Sequence, residues 1–179
     1  MTRTVPLLPS LMFTLALATA PAWAQHSHVH GQARLDVAID GPLLTLSFES
    51  PLDSLVGFEH RPRTAAQKQA AEAAINRLRD AAALWGADAA AQCSATETTL
   101  DVDALQPSAT PAAAVATEHA EASARYAFRC AAPDQLKVLT HSLFEAFPRL
   151  QRLDVQVAGP RGQVKQALRR PAKAVRLVR

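Results

Sequence analysis

Two cysteines, Cys93 and Cys130, constrain the fold of this chain more than any other feature. What they can do depends on the compartment, and the first residues bear on that. Met1-Thr2-Arg3 is a basic start, residues 5–20 are largely apolar, and Ala22-Trp23-Ala24 is a small-x-small ending. Together these read as a secretory leader cleaved after Ala24. As a membrane span the run is short and carries Pro6 and Pro9. No cysteine stands near the cleavage point to carry lipid. The expected product is residues 25–179, a single exported domain with no membrane span after cleavage. Its alanine- and arginine-rich composition suits a bacterial periplasm. In an oxidising compartment an even pair of cysteines is most simply one disulfide. In the chain-entropy model, closing a loop of this length stabilises by about 4 kcal/mol.

The pair sets a register. Residues 92–102 and 123–130 both read as strands, and placing Cys93 opposite Cys130 puts Val102 opposite Glu121. The hairpin loop is then residues 103–120, whose Pro-Ser-Ala-Thr-Pro-Ala composition buries little and is expected to be mobile. An earlier hairpin is clearer. Residues 34–40 and 43–50 alternate apolar and polar around an Asp40-Gly41-Pro42 turn. Residues 52–63 form a loop rich enough in apolar side chains to pack under the sheet. Thr64 and Gln67 make a capping box for a helix running to about Leu84 and stopped by Gly86. Its apolar stripe is Ala71, Ala74, Ile75, Leu78, Ala82 and Trp85. Leu136, Leu139, Leu143 and Phe147 predict a second helix over residues 133–147, with His141 on its solvated side. Strands follow at residues 153–157 and 163–169, with a last short one at 174–178. The expected fold is α+β: a mainly antiparallel sheet, two helices on one face, ββα-ββα-ββ order and one disulfide.

Three of the six histidines, His26, His28 and His30, lie together at the expected mature N-terminus. In an extended segment they share one face at period two. Neutral imidazole is a good ligand for zinc, copper and nickel, although short His-x-His runs also arise by chance. Glu118-His119-Ala120-Glu121 and Glu59-His60 are the other places where ligand types cluster. No nucleophile elbow, zinc-protease helix or phosphate loop is present, so the chain reads as a non-enzyme. Glu59-His60 as an acid/base pair of a hydrolase ranks last. From Arg149 to Arg179 there are nine Lys and Arg and one acid, Asp154. Export and the absence of interleaved aromatics argue against nucleic acid. A solvated face is the simpler reading, and an envelope partner docking on Arg169, Arg170 and Lys173 is the alternative function.

Several stretches carry a family likeness. They are His28-Val29-His30-Gly31 before the Asp40-Gly41 hairpin, and the long run Ser50-Pro51-Leu52-Asp53-Ser54-Leu55-Val56-Gly57-Phe58-Glu59-His60-Arg61-Pro62-Arg63-Thr64. The others are Tyr126-Ala127-Phe128-Arg129-Cys130 and Leu143-Phe144-Glu145-Ala146-Phe147-Pro148. The chain resembles the ZrgA-type family of proteobacterial periplasmic proteins. That resemblance implies a zinc-binding accessory protein of zinc uptake, working beside a zinc transporter component. It also implies a His- and Asp-rich insert between the cysteine-bearing strands. Here that position, residues 103–120, holds Ala, Pro and Thr and a single histidine, His119. The ligands left to such a role are His26, His28, His30, His119, Glu118 and Glu121, with His60 carried over more weakly. They support one Zn2+ site rather than a reservoir.

Overall fold

The computed structural model describes residues 29–106 and 120–178. The hairpin expected from alternation is strands β1 (Gln32–Asp40) and β2 (Leu43–Pro51), antiparallel from Asp40↔Leu43 to Arg34↔Glu49. Gly41 takes φ 53° in the turn, a conformation that costs glycine little. Strand β5 (Glu121–Cys130) pairs with β2, and β4 (Cys93–Asp101) pairs with β5. On the other side β7 (Arg152–Gly159) runs parallel to β1, and β8 (Gly162–Arg169) closes the sheet antiparallel to β7. The strand order is β4-β5-β2-β1-β7-β8. Alternation decides the faces. Leu35, Val37, Leu44, Leu46, Phe48, Tyr126, Leu153 and Val155 are buried together, while Arg34, Asp36, Thr45, Arg125 and Asp154 stay on the wetter face. The fold is α+β with mostly antiparallel sheet, as the sequence predicts.

The disulfide joins Cys93 and Cys130, which sit directly opposite each other. The register beyond them differs from the expected one. A bulge between Ala95 and Glu97 adds a residue to β4, so Asp101 faces Ser123, and Glu121 faces Pro51 of β2 instead of Val102. Thr96 in the bulge donates its hydroxyl to the Ala127 carbonyl, 3.1 Å away.

The residues after β2 form a one-turn helix, α1 (Leu52–Val56), ended by Gly57 at φ 86°. Helix α2 (Ala65–Arg79) starts at Thr64 with both bonds of the capping box, and buries Ala71, Ala74 and Leu78. It ends earlier than expected. Asp80 breaks the helix and caps a fresh turn, α3 (Ala81–Leu84), by accepting from the Ala83 amide at 3.0 Å. The break resets the phase, so Ala81 and Leu84 face inward and Ala82 faces out. Trp85 and Gly86 then belong to strand β3 (Trp85–Ala87) and do not stop a helix. Tyr126 ties this layer to the sheet, its hydroxyl donating to the Leu78 carbonyl at 2.7 Å.

The second long helix is not formed. Residues 133–135 make a 3-10 turn, Val138–His141 is strand β6, and Leu143–Ala146 is the single turn α4. The apolar spacing that reads as helical is satisfied by two elements in succession. Leu139 and His141 point inward from a strand at period two, and Leu143 and Phe144 from the turn after it. Asp88 starts the strand by accepting from the amides of Lys137 and Val138 at 2.7 and 2.8 Å. Strand β6 sits between β3 and β9 (Ala174–Arg176) in a second, three-stranded sheet. His141, expected in solvent, is therefore buried at 2% exposure between Trp85 and Phe144.

Candidate metal centre

The chain enters β1 through a turn in which the Gln32 amide donates to the Val29 carbonyl at 3.1 Å. Gly31 occupies the third position of that turn at φ 74°, where a Cβ would press on the Arg149 carbonyl at 3.3 Å. His30 is thereby held at the corner, projecting outward. The Gly31 carbonyl accepts from the amides of Gln151 and Arg152, at 2.8 and 3.0 Å, fixing this corner to the start of β7.

The other side of the hairpin brings α1 alongside. His30 Nδ1 lies 2.6 Å from Asp53 Oδ2 and 3.7 Å from Glu59 Oε1. Among the described residues these three side chains form a group close enough to share one ion, their ligand atoms within 4.8 Å of one another. Exposure sets the direction of approach. The His30 side chain is 70% exposed, Glu59 39% and Asp53 18%, so an ion would approach from solvent past His30 and meet Asp53 deepest. A carboxylate only accepts, so the 2.6 Å contact places a proton on His30 Nδ1. The bond to Asp53, the charge of Asp53 and the charge of Glu59, in that order, hold the imidazole pKa above its usual value. Two ligands about 2.1 Å from a tetrahedral ion stand roughly 3.4 Å apart. Small movements at the 2.6 and 3.7 Å contacts would reach that spacing, and an ion held there would take the place of the proton between His30 and Asp53. One imidazole and two carboxylates suit zinc, with at least one coordination position left open to solvent.

Of the ligands expected from sequence, His30 is brought into this group. His26, His28, Glu118 and His119 lie outside the described residues. Glu121 starts β5 at the edge of the hairpin, opposite Pro51. His60 is turned away from the group. Its ring stacks on Phe58 at 5.4 Å, and Nδ1 donates to the Arg61 carbonyl at 2.9 Å. Arg61 in turn donates to the carbonyls of Asp103 and Gln106. His60 therefore helps anchor the loop, and Glu59 faces His30. Asp53 is a candidate ligand that spacing of histidines does not reveal. It lies past the end of the hairpin ladder, in the one-turn helix α1, so strand register alone does not set it beside His30.

The basic C-terminal run stays largely exposed, and several of its residues also bond within the chain. Arg170 Nη2 donates to the carbonyls of Phe144, Phe147, Pro148 and Leu150, and its guanidinium lies 5.5 Å from the centre of the Phe144 ring. Arg161 donates to the Leu136 carbonyl at 2.6 Å, and Lys173 pairs with Glu145 at 2.8 Å.

A family model described as "ZrgA family zinc uptake protein" matches residues 27–177. No curated protein matches the chain.

Proposed function

The chain belongs to the ZrgA family of zinc uptake proteins, and on that premise we propose that it is an exported, periplasmic zinc-binding accessory protein without catalytic activity. Its leader ends at Ala24, and it serves a zinc transporter component. The observation that supports this reading is the His30, Asp53 and Glu59 group, which offers three ligand atoms of zinc-compatible chemistry at the mature protein's N-terminal edge. The ion is cargo, taken by imidazole and carboxylate ligands together, with His26 and His28 just upstream as further donors. Among the described residues no helix is long and apolar enough to cross a membrane. The alternative, docking of an envelope partner on the basic C-terminal face, would draw on Arg169, Arg170 and Lys173, all exposed, of which Arg170 and Lys173 also bond within the chain.

Calorimetric titration of residues 25–179 with Zn2+ tests the proposal. Binding is expected at pH 7.5, with affinity reduced at least tenfold in His30→Ala and in Asp53→Asn, the order of loss that follows removal of one ligand interaction of about 1.4 kcal/mol or more. Absence of heat, or equal affinity in all three proteins, sinks the idea. The pH dependence has a defined sign. Each ion bound displaces the His30 proton, so affinity is full above the raised His30 pKa and falls as the pH drops through it. The fall starts at higher pH than for an unperturbed histidine near ~6.5.

A further inference from the structure

Ser54 is completely buried, yet it carries a hydroxyl in the first turn of α1, one residue from Asp53. That hydroxyl has two partners. It accepts from the Gly31 amide at 2.9 Å and donates to Asp53 Oδ1 at 3.2 Å. Gly31 is the neighbour of His30, and the other oxygen of Asp53, Oδ2, is the one that meets the imidazole. A single buried oxygen therefore links the backbone that carries one ligand to the carboxylate that is another. The two ligands belong to segments separated by more than twenty residues of sequence, and this hydroxyl joins them directly at the site. The Gly31 carbonyl, fixed by Gln151 and Arg152, anchors the far side of the same peptide corner.

We propose that Ser54 is the positioning residue of the zinc site: it fixes the carboxylate plane of Asp53 and the height of the His30 corner, so that both ligands face one point before an ion arrives. The inference rests on the metal-site reading above and deepens it. An outer partner of this kind orients the ligand and saves the ion the cost of ordering it. Ser54 acts behind the ligands: its proton goes to Asp53, one lone pair takes the Gly31 amide, and the residue is fully buried.

The test titrates Zn2+ into the full mature chain with Ser54→Ala, and reads the absorption of bound Co2+ as a reporter of ligand geometry. Removing the hydroxyl is expected to weaken Zn2+ binding by about 10- to 100-fold and to alter the Co2+ spectrum. Ser54→Thr, which keeps the hydroxyl, is expected to restore both. Should Ser54→Ala be too unstable under these conditions, it and the wild type are both titrated at a lower temperature at which circular dichroism shows each to be folded. Asp53→Asn and Glu59→Gln run alongside to distinguish loss of the site from loss of its positioning. Weak binding in those two with wild-type affinity and an unchanged Co2+ spectrum in the Ser54 variant overturns the positioning role alone. Wild-type affinity in Asp53→Asn and Glu59→Gln overturns the site, and the role of Ser54 with it.

Discussion

His141 shows what one buried imidazole does to a small fold. Its Nδ1 accepts from the Leu143 amide at 3.3 Å, so the proton is on Nε2, which is buried without a partner. Burial pushes its pKa down to about 4, with Glu145 opposing and Lys173 assisting the shift. The unfolded chain takes up this proton below ~6.5, whereas the folded chain refuses it until about 4. Titration of His141 therefore leaves stability unchanged above pH ~6.5 and removes it steadily as pH falls from there towards 4, by about 3 kcal/mol in full. Urea unfolding at pH 7.5, 5.5 and 4.5 is expected to show that loss in the wild type and a much flatter profile in His141→Leu. An equally steep loss in the variant places the acid sensitivity elsewhere. At this scale the sequence is partly legible. His30 stands out as a ligand type, but burial of His141 is invisible because Leu139, His141 and Leu143 fit a helix and a strand equally well.

Elements are readable where a local signal fixes both ends. Helix α2 begins where the capping box predicts: Gln67 N donates to Thr64 Oγ1 at 3.2 Å, and the Gln67 side chain accepts from the Thr64 amide. Thr64→Ala is expected to cost about 1 kcal/mol, read as a lower urea midpoint with an unchanged slope. A cost near zero would mean that packing of Ala71, Ala74 and Leu78 alone holds the helix start. The far end escapes sequence reading because Asp80 both ends one helix and caps the next, and a stripe of alanines gives no warning of the reset. The first hairpin is legible in register as well as extent, since Gly41 dictates the turn and alternation dictates the faces. The bulge at Thr96 is not. Nothing in Ser94-Ala95-Thr96-Glu97 marks an extra residue, and the disulfide pins only one end of that ladder.

For the molecule as a whole, the unreadable part is the closure between distant segments. The parallel pairing of β1 with β7 and the small sheet of β3, β6 and β9 join residues that share no local signal. Arg170 adds a further tie between distant segments. One of its nitrogens lies within hydrogen-bond reach of four carbonyls at and after the end of α4, of which Phe147 also accepts from the Leu150 amide and Pro148 from Gln151. Arg170→Ala is expected to destabilise the protein by about 3 kcal/mol, and Arg170→Lys to recover little, because an ammonium lacks the planar fork. Lys165→Ala, on the exposed strand β8, serves as the control with little change. Chemical denaturation of the three variants decides it, and equal stability of Arg170→Ala and wild type would remove Arg170 from this role. The basic run is a solvated face, as the sequence predicts, but the carbonyls that Arg170 serves are not readable from it.

The corner that carries His30 has a consequence for how such a site can drift over time. The Gly31 carbonyl is tied to Gln151 and Arg152 and the Gly31 amide to Ser54, so the imidazole is placed by segments far from it in sequence. The corner itself turns on a positive φ at Gly31, where a Cβ would meet the Arg149 carbonyl at 3.3 Å. A single substitution at this glycine would swing the imidazole away from its neighbours, with His30, Asp53 and Glu59 all still spelled out intact.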